Sequence, residues 1–442
     1  MTDAIIETSA AALIEAMRSG AVSAVETTSA YLARIEAREP MVRAFAHLDP
    51  AAALAAAVEL DAQCARGEGL GALHGLPVAV KDIIDTADMP TAFGAARLVD
   101  RRPNRDAKIV ERLRKAGALV LGKAVTSQFA LFAPGPTCNP RDPARTPGGS
   151  SSGSAAAVAA GFAPIALGTQ TNGSIVRPAS YCGVVGFKPS LGVLPRTGIL
   201  RHCDGVDHPG VFARSVEDAA LVVDALAGED PEDAGSRELP GSLTDAARAW
   251  RAAPRLAWIA GPYTERAALE TRTAFERFIR GLPTSVDVIT LDPEFAQAEA
   301  AMNDLMCAGF AESLGEEIDG SREDAPQVLL ETLAKGRALS AVRMTSAWTL
   351  RNRLRARIID LLSPYDAALT FAARGEAPLA AEGTGDPIFA TLWSLIGAPA
   401  YSLPLLSGPN GLPLGVQVVA KPGADAALTR AAAWLERVNI RI

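Results

Sequence analysis

Short apolar runs that alternate with amphipathic segments are the feature that most constrains the fold. Residues 75–81 (GLPVAVK) read as a buried strand that ends on a charged residue. Residues 107–116 have the pattern of an amphipathic helix, and 118–121 form another apolar run. Strand–helix–strand order is typical of α/β proteins, in which helices cover both faces of a sheet. We therefore expect a single α/β/α domain with a large mixed central β-sheet covered by helices on both faces.

The organisation along the rest of the chain is consistent with one domain over residues 1–442. Residues 230–360 are mostly helical and are expected to form an excursion within that domain. Two helices, over 51–65 and 154–160, and a long helical pattern over 8–36 are also predicted. Further strands are predicted near 165–168, 256–260, 286–291, 367–371, 400–404 and 415–420.

Composition limits the possible partners. The chain has 442 residues, of which 49% are hydrophobic and 21% charged, and a net charge of −7. Such a chain is globular and offers no basic surface for nucleic acid or for an anionic membrane. We therefore expect neither nucleic acid nor a membrane as a partner.

Cysteine and histidine usage bears on compartment and cofactors. The five cysteines are widely spaced without a C-x-x-C pair, so a disulfide framework is not expected and a cytoplasmic location fits. The N-terminus does not resemble a signal peptide. The most apolar stretch, residues 155–167, is shorter than the about 20 residues that span a bilayer. The four histidines form no recognisable metal-ligand pattern, so neither a metal nor another cofactor is expected.

Three polar segments carry the candidate chemistry. They are Lys81 at the end of its predicted strand, the loop 148–153 (GGSSSG) and the loop 171–174 (TNGS). A serine hydroxyl is a weak nucleophile that needs a base, and a lysine desolvated by an apolar strand can act as one. Glycines beside a serine also let main-chain N–H groups converge on a developing oxyanion. The alternatives are a structural Lys81 paired with Asp82 or Asp85, and serine loops that are ordinary turns or linkers.

Four segments resemble the amidase signature family. Residues 75–91 are similar to its lysine motif, 148–160 to its Gly-Gly-Ser-Ser-Gly-Gly-Ser segment and 168–189 to its nucleophile segment. Residues 411–417 (GLPLGVQ) are also typical. The resemblance covers nearly the whole chain and weakens between about 230 and 360.

The resemblance implies a Ser-Ser-Lys triad. Ser174 matches the nucleophile, Ser150 the bridging serine that follows a cis peptide bond, and Lys81 the general base. The implied reaction hydrolyses a small amide to an acid and ammonia through an acyl-serine intermediate. The implied oxyanion hole consists of the main-chain N–H groups of Thr171, Asn172 and Gly173. A homodimer is a further expectation at the level of the family.

Some positions depart from the family pattern. Asn172 stands where many members have glycine, and the oxyanion hole is expected to survive because asparagine tolerates left-handed backbone geometry. Ser152 and Gln170 also differ. In the segment that begins at residue 200, only Asp207 and Gly210 match the family's usual Ser-x-Asp-x-x-Gly-Pro pattern. These changes do not alter the predicted reaction type, but they leave the identity of the substrate undetermined.

Arg177, three residues after the nucleophile, is the main clue to the substrate. A guanidinium at this position can hold a carboxylate through two hydrogen bonds, and the segment resembles bacterial malonamidase, where the matching arginine does so. Alternatively, Arg177 pairs with an internal acid such as Asp207 and braces the loop. Gln128 and Ser151 are further predicted substrate contacts, and residues 129–136 are expected to line a pocket wall. Arg201 and His202 are expected in a solvated loop.

Two other functions compete with a free amidase. Residues 149–153 match the G-x-S-x-G elbow of α/β-hydrolases with Ser151 as nucleophile, but no strand precedes them and no histidine follows His208. The chain can instead be the amidase-like subunit of a tRNA-dependent amidotransferase, or a non-catalytic binding homologue. The net negative charge of the chain and the divergent region 230–360 argue against the amidotransferase-subunit alternative.

Overall fold

A mixed β-sheet of eleven strands organises the computed structural model, which describes residues 2–68, 70–323 and 325–439. The strands are β1 (Phe45–Leu48), β2 (Pro77–Lys81), β3 (Leu119–Ala124), β4 (Ile165–Gln170), β5 (Val185–Lys188), β6 (His208–Ala213), β7 (Leu256–Ala260), β8 (Val286–Thr290), β9 (Ala367–Phe371), β10 (Ala400–Ser407) and β11 (Pro413–Val419).

Helices connect the strands and cover the sheet. They are α1 (Thr2–Glu7), α2 (Ala10–Arg18), α3 (Ala24–Val42), α4 (Pro50–Ala65), α5 (Lys108–Lys115), α6 (Ser152–Ala160), α7 (Val176–Cys182), α8 (Val216–Leu226), α9 (Leu243–Arg248), α10 (Leu269–Gly281), α11 (Ala298–Asp319), α12 (Gln327–Ala338), α13 (Ala341–Leu362), α14 (Ile388–Leu395) and α15 (Asp425–Asn439). In the described ranges, no helix is long and apolar enough to cross a membrane.

The strand order is β1-β3-β2-β4-β6-β5-β10-β11-β9-β7-β8. Strands β3, β2 and β4 run parallel, as do β8, β7 and β9, while the strands between these two groups pair antiparallel. The expectation of an α/β domain with a large mixed sheet is therefore confirmed. Strands β7 and β8, which come from residues 230–360, extend the same sheet.

Strands β2 and β4 position the candidate site. Both are buried along their whole length, so their apolar side chains are shielded on both faces of the sheet. Val80 pairs with Leu167, so both strands end at the same edge. The C-terminal edge of parallel strands is where open α/β sheets commonly place their functional groups. Lys81 and Thr169 thereby become neighbours.

Local capping sets two helix boundaries that matter here. The predicted helix over 8–36 is broken, because the chain turns at Gly20 (φ 73°) and restarts at α3 with a capping box between Ser23 and Glu26. Helix α6 begins at Ser152, directly after the serine loop. It ends at Gly161, whose φ of 72° is the left-handed conformation that favours glycine.

Candidate active site

Lys81 lies at the C-terminal end of β2 and is completely buried. Its Nζ is 2.8 Å from Oγ of Ser150 and 2.8 Å from Oγ1 of Thr169. Burial lowers the pKa of Lys81 well below the usual lysine value, and the negative charge of Asp207 opposes this only in part. A neutral amine in hydrogen-bonding contact with a hydroxyl can accept its proton.

The acids next to Lys81 in the sequence do not pair with it. The Asp82 carboxylate accepts the main-chain N–H of Ala92 at 3.1 Å, and Asp85 forms an ion pair with Arg101 at 2.7 Å. The alternative of a structural lysine paired with Asp82 or Asp85 is therefore wrong.

Ser150 follows a cis peptide bond between Gly149 and Ser150, as the resemblance implied. Its carbonyl oxygen accepts the main-chain N–H of Ser127 at 3.1 Å. This contact ties the serine loop to the segment that follows β3. The Ser150 side chain is buried, so the hydroxyl beside Lys81 is shielded from solvent.

Ser174 lies in the turn between β4 and α7 and is partly exposed. The turn is held by Gln170, whose Oε1 accepts the main-chain N–H groups of Ile175 at 2.8 Å and Val176 at 3.0 Å. The Gln170 amide also donates to Oγ of Ser394 in α14 at 2.9 Å. The glutamine thus anchors the turn to a distant helix.

The predicted oxyanion segment is fixed through its side chains. Thr171 Oγ1 donates to Asp207 Oδ1 at 2.6 Å, and Asn172 Oδ1 accepts the hydroxyl of Thr391 at 2.8 Å. The Asn172 carbonyl also accepts the hydroxyl of Ser394. Asn172 is not among the described non-glycine residues with positive φ. The reason expected for its tolerance, left-handed geometry, is therefore wrong, and its side chain binds Thr391 instead.

Arg177 projects from α7 toward the serine loop and is almost completely buried. Its Nη2 donates to the carbonyl of Gly149 at 2.7 Å and to Oγ1 of Thr384 at 3.4 Å. Within the described chain, its Nε and Nη1 atoms have no hydrogen-bond partner. Burial lowers the pKa of this guanidinium. Two nitrogen atoms of a desolvated cation are thus left without a partner, and both are buried.

Asp207 does not brace Arg177. Its carboxylate accepts Thr171 Oγ1 and the main-chain N–H groups of His202 and Cys203, each of the latter at 2.8 Å. The alternative that Arg177 pairs with Asp207 is therefore wrong, because other donors occupy this acid.

The side chain of Ser151 is held by hydrogen bonds to the backbone. Its hydroxyl is fully buried, donates to the carbonyl of Thr169 at 3.1 Å and accepts the main-chain N–H of the same residue at 3.3 Å. Because the hydroxyl is engaged by the backbone of β4, we withdraw Ser151 as a substrate contact. The same contacts argue against Ser151 as the nucleophile of a hydrolase elbow.

The remaining predicted contacts differ in their surroundings. Gln128 is partly buried, and its side chain stays a predicted substrate contact. His202 is buried with Nε2 against the carbonyl of Phe129, so its expected place in a solvated loop is wrong. Arg201 is exposed and pairs with Asp204 at 3.1 Å.

A cavity of about 790 Å³ adjoins the arginine side of the site. Thr384 lines it and connects it to Arg177 and to Gly149, where a Cβ would lie 3.0 Å from the Thr384 methyl carbon. Tyr181 and Phe132, the latter from the segment expected to form a pocket wall, also line it. Arg177 and Ser150 do not line this cavity, so Thr384 lies between the cavity and the arginine.

Sequence reasoning missed three hydroxyl residues at the site. The hydroxyl of Thr169, like that of Ser150, is hydrogen-bonded to the Lys81 amine. The only indication of this in the sequence was the position of Thr169 at the end of a predicted strand. Thr391 and Ser394 come from α14 and contact Asn172 across more than 200 residues of chain. The described residues contain no group of three or more His, Cys, Asp or Glu side chains able to hold a metal ion.

The fold and the buried contact between Lys81 and Ser150 fit the class of amide-cleaving enzymes, and similarity to known proteins agrees. Residues 26–429 match the Amidase family, so the protein belongs to that family and is an enzyme acting on amide C–N bonds. One relative is a glutamyl-tRNA(Gln) amidotransferase subunit from Chloroflexus aggregans. It is 35% identical over 96% of this chain and 95% of its own length.

Solved structures share the fold over nearly the whole chain. One, described as "An unexpected vestigial protein complex reveals the evolutionary origins of an s-triazine catabolic enzyme", has a TM-score of 0.91 and 30% identity over 98% of both chains. The native peptide amidase from Stenotrophomonas maltophilia has a TM-score of 0.85 and 30% identity, with 98% of this chain and 97% of that chain covered. None of these three is described as a malonamidase, so that finer resemblance is not supported.

The expected set of partners needs correction. We expected no nucleic acid and a possible homodimer, but a relative that covers 96% of the chain is named as part of an enzyme acting on glutamyl-tRNA(Gln). The reasoning failed because a net charge describes one chain, whereas other members of a complex can carry the basic surface. An acidic chain is therefore compatible with a tRNA-dependent reaction.

Proposed function

We propose that this chain is the amide-cleaving, ammonia-releasing subunit of a glutamyl-tRNA(Gln) amidotransferase-type complex. The observation that carries the chemistry is the buried Lys81 amine within 2.8 Å of Ser150 Oγ, beside the loop that presents Ser174. The relative from Chloroflexus aggregans, 35% identical over 96% of the chain, supports the setting within a complex.

The proposed reaction begins with proton transfer away from the nucleophile. Neutral Lys81 takes a proton from Ser150, which takes one from Ser174 as its oxygen attacks the amide carbonyl carbon. A C–O bond forms and a tetrahedral oxyanion develops. The same relay returns the proton to the amide nitrogen, the C–N bond breaks, and ammonia leaves.

The second half of the reaction regenerates the enzyme. Water attacks the acyl ester on Ser174, the C–O bond to the serine breaks, and the acid leaves while the proton returns to Ser174. The net change is amide and water to acid and ammonia, so no oxidant or metal is required for balance.

The oxyanion is proposed to be held by the N–H groups of Thr171, Asn172 and Gly173. Their segment is tied to Asp207 by Thr171 and to α14 by Asn172, so it is ordered before substrate arrives. Donors held in place in advance stabilise developing charge without the cost of reorganisation.

A second candidate is a free-standing hydrolase of a small carboxylate-bearing amide such as malonamate, in which Arg177 would bind the carboxylate. Its Nε and Nη1 atoms have no partner in the described chain although the side chain is buried. A guanidinium can bind a carboxylate through two hydrogen bonds, and here the side chains around Arg177 must shift to expose these two buried atoms to it. Glutamine also carries a carboxylate besides its amide, so this feature serves either candidate.

The experiment separates the two candidate functions by asking whether the released ammonia is transferred to glutamyl-tRNA(Gln). The purified chain is assayed for ammonia release from glutamine, malonamate and malonamide, alone and together with the other amidotransferase subunits encoded in the same genome. We expect glutamine-dependent conversion of glutamyl-tRNA(Gln) to glutaminyl-tRNA(Gln) by the assembled complex, and no conversion with Ser174→Ala. Full turnover of malonamate by the chain alone, without any tRNA product in the mixture, would instead establish the second candidate.

A further inference from the structure

Asp207 joins the predicted oxyanion segment to the loop at 202–203. Its Oδ1 accepts the Thr171 hydroxyl at 2.6 Å, which is the contact of a charge-assisted hydrogen bond. Its Oδ2 accepts the main-chain N–H groups of His202 and Cys203 at 2.8 Å each. The carboxylate therefore cannot move without releasing either the oxyanion segment or the loop at 202–203.

The same carboxylate lies close to the base. Thr169, Thr171 and Asp207 line one small cavity, and Lys81 contacts Thr169 Oγ1 at 2.8 Å. Burial lowers the pKa of Lys81, and the negative charge of Asp207 acts in the opposite direction. Asp207 is thus the acid whose charge favours the ammonium form of this lysine.

Other ionisable groups face Asp207 from the surrounding loops. The two histidines contribute little positive charge, because burial lowers the pKa of both His202 and His208. The Cys203 thiol has its pKa raised to about 12 by burial, so it stays neutral. Arg196 and Arg201 line the same cavity as cations, paired with Asp233 at 2.6 Å and with Asp204 at 3.1 Å. Lys81 is the proposed base, and Asp207 is the acid whose negative charge acts on it.

We propose that Asp207 is a positioning residue for the amidase reaction, which orders the oxyanion segment through Thr171 and acts with its negative charge on the amine of Lys81. This inference rests on the proposed function, since it assumes that Ser174 is the nucleophile. It predicts two separable effects: one on how fast the serine reacts, and one on the pH at which it becomes reactive.

The test measures the nucleophile without needing the natural substrate. Phenylmethylsulfonyl fluoride modifies activated serines, and the rate of sulfonylation of Ser174 is followed by intact-mass and peptide mass spectrometry from pH 5 to 10. The variants are Asp207→Asn, which removes the charge, and Thr171→Val, which removes only the hydroxyl contact. Asp204→Asn is the control, because Asp204 is an exposed acid three residues away.

The expected results differ for each variant. Asp207→Asn reacts about tenfold or more slowly at its plateau, the size expected for losing a hydrogen bond that orders the loop. The acid limb of its pH–rate profile, where the labelling rate falls as the pH drops, also moves to lower pH. The reason is that the ammonium form of Lys81 loses a stabilising charge. Thr171→Val is slowed by a similar factor with an unmoved limb, and Asp204→Asn matches wild type.

Three outcomes test the positioning role of Asp207 separately from the identity of the nucleophile. If wild type is labelled at Ser174 but Asp207→Asn keeps both the rate and the limb of wild type, the inference is overturned and the proposed function stands. If wild-type Ser174 is not labelled at any pH, the proposed nucleophile itself is wrong and the inference fails with it. Should Asp207→Asn fail to fold, an unchanged rate in Thr171→Val overturns the positioning role by itself.

Discussion

The side-chain nitrogen of Lys81 lies 2.8 Å from Oγ of Ser150, although 69 residues separate them in the chain. Parallel pairing of β2 with β4 brings the end of one strand beside the loop that precedes α6. The contact places a desolvated amine against a buried hydroxyl. The reactivity of the site therefore depends on tertiary burial as much as on residue type.

Replacing the proposed base separates activity from stability. We expect Lys81→Met to lower amide cleavage by about 100- to 10,000-fold, the usual contribution of a general base. We also expect no loss in the free energy of unfolding at pH 7. Burial depresses the folded-state pKa of Lys81, so below the usual lysine pKa the unfolded chain binds a proton that the folded chain excludes, and this penalty disappears in the variant.

Ammonia release and urea denaturation check this prediction. Lys115→Met, at an exposed lysine, is the control and should change neither quantity. Full activity in Lys81→Met would remove the lysine from the mechanism.

The pH profile should report an unusually acidic lysine. Because protonation of Lys81 removes the base, kcat/KM falls as the pH drops through its pKa, which lies well below 10.5. Lys123 is a matched control, since it is also buried and burial lowers its pKa to about 8. Its Nζ is bound to Thr91 and to the Ile84 carbonyl, away from the serines.

The measurement is kcat/KM between pH 5 and 10 for wild type and Lys123→Met. We expect the same acid limb in both proteins. A limb that vanishes in Lys123→Met would show that Lys123, and not Lys81, is the titrating group.

Two serines in neighbouring loops should behave differently. Ser174→Ala is expected to abolish turnover and the acyl-enzyme adduct seen by mass spectrometry after a rapid quench. Ser151→Ala is expected to keep the adduct but to unfold with a free energy about 1–3 kcal/mol lower, because the Thr169 backbone groups lose their buried partner. The reverse pattern would support the hydrolase-elbow alternative.

Arg177 is expected to favour amide substrates that carry a carboxylate over neutral amides. We expect Arg177→Met to raise KM for glutamine or malonamate by about tenfold or more, since a charge-assisted contact is lost. Turnover of malonamide, which has no carboxylate, should change far less. Steady-state kinetics on this matched pair of substrates measures the difference.

The exposed Arg201 supplies the control variant, Arg201→Met, which should leave both substrates unaffected. An equal loss on malonamate and malonamide in Arg177→Met would indicate that the arginine only braces Gly149.

Sequence pattern predicted the framework of the site well. The buried run that became β2, the helix after the serine loop and the strand before Ser174 were each recognisable, because burial and periodicity are local properties of a chain. The order of the motifs also led to the amidase family. The strands β5 and β6 were not predicted, since they are short runs whose pairing is long-range.

The sequence by itself determined the fold class, the strand that buries Lys81 and the identity of the reactive residue types. Only the tertiary structure decided which hydroxyls surround Lys81, that Ser151 is bound by the backbone, and that Asp207 holds Thr171 rather than Arg177. It also brought Thr391 and Ser394 to Asn172. The physical reason is that residue spacing encodes periodicity and burial, whereas a hydrogen bond depends on distances of a few ångströms between segments that the chain itself keeps far apart.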